Sequence, residues 1–430
     1  MNDSTDIKQV TENDLDNWAT MNDGPVALRL KQRLLPVEES GIIFPPTYAD
    51  IGYNIDTLSD GTRVATIDSV GSQANRLEPI FKSESKDPND WLVPQIEILI
   101  HKEACGECEN CKSNAGNAKK ANKECKQPRE VTRSLLDLAH RAADAVVQSS
   151  PDLLKLIEPA FKRLQQGDAG PLCTVAPTSL VFGVWDSRGN TGEKRPRLVR
   201  SIIRAWDVEP LHAAAQFNSI WKLLDEEQQE ELKKEAKAKK TDLSEKGLAD
   251  APATFRKTKV QQYRDGLPNP EARVLGGVLV KGSIEREVTV NLVALRGLRG
   301  ENDQETTEIR KYLLGLSLMA ATADIELYLR EGCLLRYAEN GDAWYEVPRR
   351  GEPTPIRLDV ETIKEYARET AGPFRTKWPA VFNEKWPKGD GEKSQEGEKS
   401  PALKYEFNLD AAKKLLQKKV AEEEKGNQSE

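Results

Sequence analysis

Histidine is nearly absent from this chain: three residues in 430, at positions 101, 140 and 212. No G-x-S-x-G, Walker loop or H-E-x-x-H segment accompanies them, which removes the common nucleophile elbow, phosphate loop and zinc-peptidase helix. No apolar run approaches the roughly 18 residues a membrane span needs, and no internal repeat appears. The opening "MNDSTDIKQVTENDLDNW" is polar and acidic, unlike a secretory signal. A cytoplasmic protein with no membrane partner is expected. Positive charge is not in excess either: 63 Lys+Arg face 70 Asp+Glu, for a net charge of −7. That argues against indiscriminate coating of nucleic acid, yet opposite charges can be segregated and leave one basic stripe. Six cysteines are few for the length, and in a reducing compartment they serve as free thiols or metal ligands rather than disulfides.

What is present is a soluble composition, 38% hydrophobic and 31% charged, long enough for one elaborated domain or two ordinary ones. Residues 1–24 read as a flexible or late-docking arm, followed by a core over 25–345. "VALRLKQRLLPV" predicts a strand with Leu28 and Leu30 on one side and Arg29, Lys31 and Arg33 on the other. "RVATIDSVGSQANRLEPIF" predicts a strand entering a helix capped by Asp68 or Ser69. "WLVPQIEILIH" reads as another strand. "TRSLLDLAHRAADAVVQS" predicts a helix from the spacing of Leu135, Leu138, Ala142 and Val146, and a second follows from Pro151. "TSLVFGVWD" reads as a buried strand; "ARVLGGVLVKG" and "REVTVNLVALRGL" read as paired strands. A helix then spans "TEIRKYLLGLSLMAATADIELYL", before the strand "CLLRYAE". A charged insertion occupies about 225–270, its clearest part, 225–250, being charged on every face. Residues 346–430 form a C-terminal extension whose tail, from 385, carries one short docking helix. Interleaved but irregular strands and helices favour an α+β sheet backed by helices over a doubly wound fold.

Against the acidic total, residues 185–203, "WDSRGNTGEKRPRLVRSII", concentrate Arg188, Lys194, Arg195, Arg197 and Arg200. At strand spacing Arg195 and Arg197 share one face, with Leu198, Arg200 and Ile202 on the other. At helical spacing Arg197, Arg200 and Arg204 form one stripe. Arginine suits bidentate phosphate recognition and base stacking, although carboxylates of the same chain can equally satisfy such a face. Two further donor-rich elements adjoin predicted strands: Ser72, Gln73, Asn75 and Arg76 where a helix begins, and the basic side of "RLKQR". Together they suggest a polyanion groove.

Cys105, Cys108, Cys111 and Cys125 lie within "HKEACGECENCKSNAGNAKKANKEC". Two-residue gaps turn neighbouring thiolates onto one ion, and four thiolates close a tetrahedral structural Zn²⁺ site. Iron–sulfur ligation ranks lower because the fourth cysteine is distant and lacks the following proline. Cys173 and Cys333 sit in apolar contexts and are expected to be buried. His140 has Asp137 and Asp144 at helical spacings, so an acid–base constellation can be drawn, but no nucleophile motif is near. The chain reads as a binder and not as an enzyme.

"IDSVGSQANRLEPIF", "LLDLAHRAADAVVQS", "SLVFGVWDSRG…KRPRLVRSIIRAWDV" and "LSLMAATADIELYLREGCLLRY" resemble the large backbone subunit of type I-G (formerly I-U) CRISPR effector complexes, in the Cas-seven group of the RAMP superfamily. The resemblance runs discontinuously from about residue 25 to 340. It implies a ferredoxin-like, RRM-type core with inserted thumb and finger elements. It also implies a non-catalytic subunit that polymerises with copies of itself along crRNA, beside other Cascade subunits, leaving the guide bases open to pair with target DNA. Contacts to phosphate and 2′-hydroxyl rather than base edges suit any guide. Three other readings stand beside it: a metal-independent endoribonuclease using His140 or His212 on precursor crRNA, a standalone RNA-binding regulator, and a scaffold without nucleic-acid affinity.

Overall fold

The computed structural model describes residues 7–48, 51–113, 120, 125, 128–187, 189–212, 220–241, 243, 248, 263–264, 267–268, 275–387 and 402–426. It is a mixed α+β structure built on a nine-stranded sheet. Five strands carry that sheet: β1 (Ala27–Pro36), β2 (Arg63–Asp68), β3 (Val199–Trp206), β4 (Ile284–Asn291) and β5 (Cys333–Val347). Their spatial order is β5-β1-β4-β3-β2, each antiparallel to its neighbours. Thr354–Arg357 lies outside β5, and Lys8–Gln9 pairs parallel with it at the edge.

Alternation sets the two faces. Along β1, Leu28, Leu30, Gln32 and Leu34 are buried while Arg29, Lys31 and Arg33 point the other way. Along β4, Ile284, Arg286, Val288 and Val290 are buried against Glu285, Glu287 and Thr289. Residues directly opposite on antiparallel strands share a face, so the register aligns one apolar and one charged surface. The apolar surface meets α1 (Glu12–Thr20), α2 (Val70–Leu77) and α3 (Asp303–Thr322). α3 buries ten of its twenty residues, all from Ile309 onward, and α4 (Val360–Thr370) packs on it. Gly315 permits that approach, since a Cβ there would lie 2.9 Å from the Ala367 Cα.

The sheet's helix side holds one polar seam. Gln73 Nε2 donates to Asp68 at 2.6 Å, and Ser201 Oγ donates to Gln73 Oε1 at 2.8 Å. The fully buried Arg286 donates from Nε to Gln73 at 3.3 Å and Ser201 at 3.2 Å, and from Nη1 to Gln32. Gln32 in turn donates to Asp342 at 2.9 Å. Two amides thus relay the buried cation to two carboxylates, Asp68 and Asp342, toward opposite edges of the sheet.

Several expected elements differ. The predicted helix over 132–149 is instead the strand Arg129–Ser134 followed by short turns and the four-residue helix Ala145–Gln148. Pairing of Arg129–Ser134 with Ile96–Glu103 overrides the local period, and Arg141 adopts φ 55, which ends any helix there. "TSLVFGVWD" is helical over Thr178–Val181, and only Val184–Trp185 is extended; Gly183, at φ 81, makes the break. The two strands expected to pair do not. Leu275–Val280 joins Val208–His212 and Ile42–Ile43, whereas β4 joins β1 and β3. From Leu292 the chain is helical, capped by Asn291, whose side chain accepts from Ala294 N–H at 2.9 Å.

The N-terminal segment, expected as a flexible or late-docking arm, packs into the core from Val10: Leu15 and Trp18 are buried, and Trp18 Nε1 donates to Glu346 at 2.7 Å. In the C-terminal extension, Leu403–Glu406 adds a parallel strand to Ile96–Glu103, burying Leu403 and Tyr405. Within 225–250, Glu226–Ala238 is helical with Ala236 its only buried residue. Cys173 and Cys333 are buried, as expected.

Candidate nucleic-acid interface and metal centre

The basic stretch is extended. Lys194–Arg195 pairs with Val184–Trp185 as a small hairpin, Pro196 turns the chain, and β3 begins at Val199. The strand reading therefore holds over the helical one, with Arg200 and Arg204 on the open face of the sheet.

Beside the hairpin lies a cleft of about 430 Å³ lined by His140, Arg141, Trp185, Lys194, Arg195 and Arg197 among others. Trp185 is 59% exposed, with Lys194 Nζ 5.6 Å from its ring centre. Arg195 is largely committed inward: its Nε lies 2.9 Å from Glu193 and its Nη2 donates to the Leu164 carbonyl at 2.8 Å. Arg197 is exposed and makes no hydrogen bond or ion pair among the described residues. Its stem packs on Gly183, where a Cβ would sit 2.8 Å from Arg197 Cγ.

The floor of the cleft is a buried ion pair. Arg141 Nε lies 2.7 Å from Glu78, and its other nitrogens donate to Asn75 Oδ1 at 3.3 Å and the Gly183 carbonyl at 3.4 Å. Burial outweighs the neighbouring cation and pushes the Glu78 carboxyl up to about 7. Arg141 thereby ties α2 to the hairpin, so Asn75 comes to the same region as Lys194 and Arg197.

The open face of the sheet carries the remaining basic candidates in rows. Arg200 lies opposite Thr289, Thr289 opposite Arg29, and Arg29 opposite Tyr345, whose ring its guanidinium covers at 4.8 Å. One row on, Ile202, Glu287 and Lys31 align, then Arg204, Glu285 and Arg33. Lys31 is paired with Glu285 at 2.9 Å. Arg33, Arg200 and Arg204 have no ion-pair partner among the described residues.

Two expected donors are engaged within the chain. Gln73 is 0% exposed and belongs to the internal seam around Arg286. Arg76 is held by Asp68 at 3.1 Å and by the carbonyls of Tyr328 and Leu329. Ser72 is half-buried in the first turn of α2, its N–H donating to the capping Ser69. Arg188 lies outside the described residues.

The drawn acid–base constellation does not form. Asp137 pairs with Lys82 at 2.6 Å, and Asp144 accepts from the backbone N–H groups of His140 and Val146. The helix that would have aligned these side chains is absent from this stretch, and the side chain of His212 lies outside the described residues.

Cys105, Cys108, Cys111 and Cys125 converge at the tip of the Ile96–Glu103/Arg129–Ser134 hairpin, all four sulfurs within 4.8 Å of one another. Neighbouring separations are 3.2 Å (108–111), 3.6 Å (105–125), 3.8 Å (105–111) and 3.9 Å (108–125). A tetrahedron with Zn–S of about 2.3 Å needs sulfurs about 3.8 Å apart, so the donor set fits a metal ion such as zinc. Backbone N–H groups of Cys105 and Cys108 point at Cys125 and Cys105 sulfurs, each at 3.4 Å, the pattern that stabilises thiolates. Gly106, at φ 78, supplies the bend. Cys108 beside it pushes the Cys111 thiol up to about 12, since gathered sulfurs resist ionisation until a cation offsets their charge.

Sequence reasoning missed Trp185 and Arg141. Trp185 had a visible signal, an aromatic residue directly before a basic loop; Arg141 had none, because its partner Glu78 is 63 positions away.

Residues 28–210 match the family model described as CRISPR-associated protein GSU0053. No curated protein matches the chain. The matched span contains β1, β2, β3, the cysteine hairpin and the whole cleft. Over that span, less than half of the chain, it agrees with the resemblance to a CRISPR-associated protein. No helix among the described residues is long and apolar enough to cross a membrane.

Proposed function

We propose that this chain is the non-catalytic guide-RNA-binding backbone subunit of a type I-G CRISPR interference complex. It acts in the prokaryotic cytoplasm, assembling with copies of itself and other Cascade subunits along crRNA and presenting the guide bases to target DNA. The observation that carries the reading is the run of basic groups with no ion-pair partner among the described residues, Lys194 and Arg197 at the cleft, then Arg200, Arg204 and Arg33 across the sheet face. They persist in a chain of net charge −7, where carboxylates to neutralise them are plentiful. The order β5-β1-β4-β3 adds support: numbered along the chain, those four strands run 4-1-3-2, as in a ferredoxin-like sheet.

In this role the sheet face and cleft grip phosphate, and guanidinium forks give bidentate contacts without reading base identity. Bases left outside the protein are then free to pair. The four-cysteine centre holds a structural zinc that closes the tip of its hairpin, a stretch with little core of its own. The charged remainder suits stacking between copies.

The test is the affinity of the purified chain for single-stranded RNAs of unrelated sequence at several salt concentrations, beside duplex DNA. Similar affinity for every RNA, falling with salt, is expected. Binding of one sequence alone identifies a regulator, and cleavage of repeat RNA in EDTA identifies a processing enzyme; either overturns the proposal.

A further inference from the structure

We infer that the cleft beside Trp185 is a single-nucleotide subsite, which takes one unpaired nucleotide of RNA with its base against the indole and its phosphate on Arg197. The inference rests on the RNA-binding reading and specifies what this part of the surface holds.

Three observations converge on it. A tryptophan 59% exposed on a short hairpin forgoes about 2 kcal/mol of burial, although a core lies directly behind it at Phe182 and Val184. Trp185 instead walls a cleft of about 430 Å³, room for one nucleotide and too little for a paired one. The groups around the ring are cationic: Lys194 against the indole, Arg197 unpaired, Arg195 at the rim. An apolar peptide would leave those cations desolvated, whereas a nucleotide offers an aromatic plane and an anion together.

The pocket is also rigidly framed. Gly183 at φ 81 lets the chain turn so that Trp185 faces out, and Arg141 fixes that turn through the Gly183 carbonyl at 3.4 Å. The ring is therefore aimed before any ligand arrives, which limits the ordering cost of binding. Stacking tolerates every base, so the subsite is compatible with a guide of any sequence.

The test compares an unmodified oligoribonucleotide with one of the same length carrying abasic sites throughout, against the wild-type chain, Trp185→Phe and Trp185→Ala. AMP and single-stranded DNA of the same sequence serve as further arms. Wild type should bind the unmodified RNA more tightly than the abasic one. Trp185→Ala should weaken the unmodified RNA by about 5- to 150-fold, the range of one base on an aromatic side chain, and leave abasic RNA unchanged. Trp185→Phe should recover most of the loss. Because the side chain is exposed, both variants should melt as wild type does; a variant that does not is replaced by the abasic comparison, which needs no substitution. Equal binding of unmodified and abasic RNA by wild type, or Trp185→Ala without effect, overturns the subsite and leaves the RNA-binding reading intact. Tight AMP binding with no preference for RNA makes the cleft a free-nucleotide site and overturns it too. No binding of any RNA overturns both.

Discussion

Arg141 and Glu78, 63 positions apart in the chain, meet at 2.7 Å beneath the basic cleft, both almost wholly buried. Glu78→Gln should lower stability by about 1–3 kcal/mol, because the amide does not reproduce the buried carboxyl's contacts with Arg141. The carboxyl also makes stability depend on pH. Its folded value, about 7, lies above the ordinary 4.5, so the folded state binds the extra proton. Its contribution is present below pH 4.5 and is lost as pH rises through 7. Denaturant titrations from pH 4.5 to 8 should therefore show the gap between wild type and Glu78→Gln narrowing as pH rises; a widening gap would refute the assignment.

Charge reversal separates free cations from paired ones. Lys194→Glu, Arg197→Glu and Arg200→Glu should each flatten the log affinity against log salt by about 0.7 per lost contact with single-stranded RNA. Lys31→Glu should do less, because Lys31 already spends its charge on Glu285. Exposed positions of this kind change stability by no more than about 0.5 kcal/mol, so melting temperature is the control. Equal slopes for all four variants would mean that the unpaired groups face something other than phosphate.

Removing the metal should act locally. One zinc per chain is expected by elemental analysis, and Cys108→Ser should abolish it. Among the described residues the hairpin tip contributes nothing to the main apolar core, while Ile96 and Ile98 at its base belong to it. Chelation should raise hydrogen exchange around residues 99–131 and leave β1 and α3 protected. A metal-free preparation with the hairpin fully protected would remove zinc from the account.

Gln73 supplies a contrast. Gln73→Ala removes three hydrogen bonds from the buried seam, leaving Asp68 to Arg76 and Arg286 to Ser201 and Gln32, a loss of about 2–4 kcal/mol. Thermal denaturation should show it. RNA affinity of the protein that remains folded should stay within about twofold, because the side chain does not reach the surface.

The strands β1, β2 and β4, the helices from Pro151 and Asp303, and the four-cysteine cluster are legible locally, because alternation, helical period and ligand spacing are properties of a few neighbouring residues. The stretch over 129–148 is not: its apolar spacing fits a helix, and only the partner strand Ile96–Glu103, about 30 residues away, makes Arg129–Ser134 extended. The same division runs through the candidate site. Sequence alone determined that positive charge gathers between Trp185 and Arg204, since charge is carried by residue type. Tertiary structure decided which of those charges are free. Gln73 and Arg76 turn inward to Asp68, while Lys194, Arg197 and Arg200 find no carboxylate among the described residues. Pairing depends on distances of a few ångströms between segments that the chain order keeps far apart.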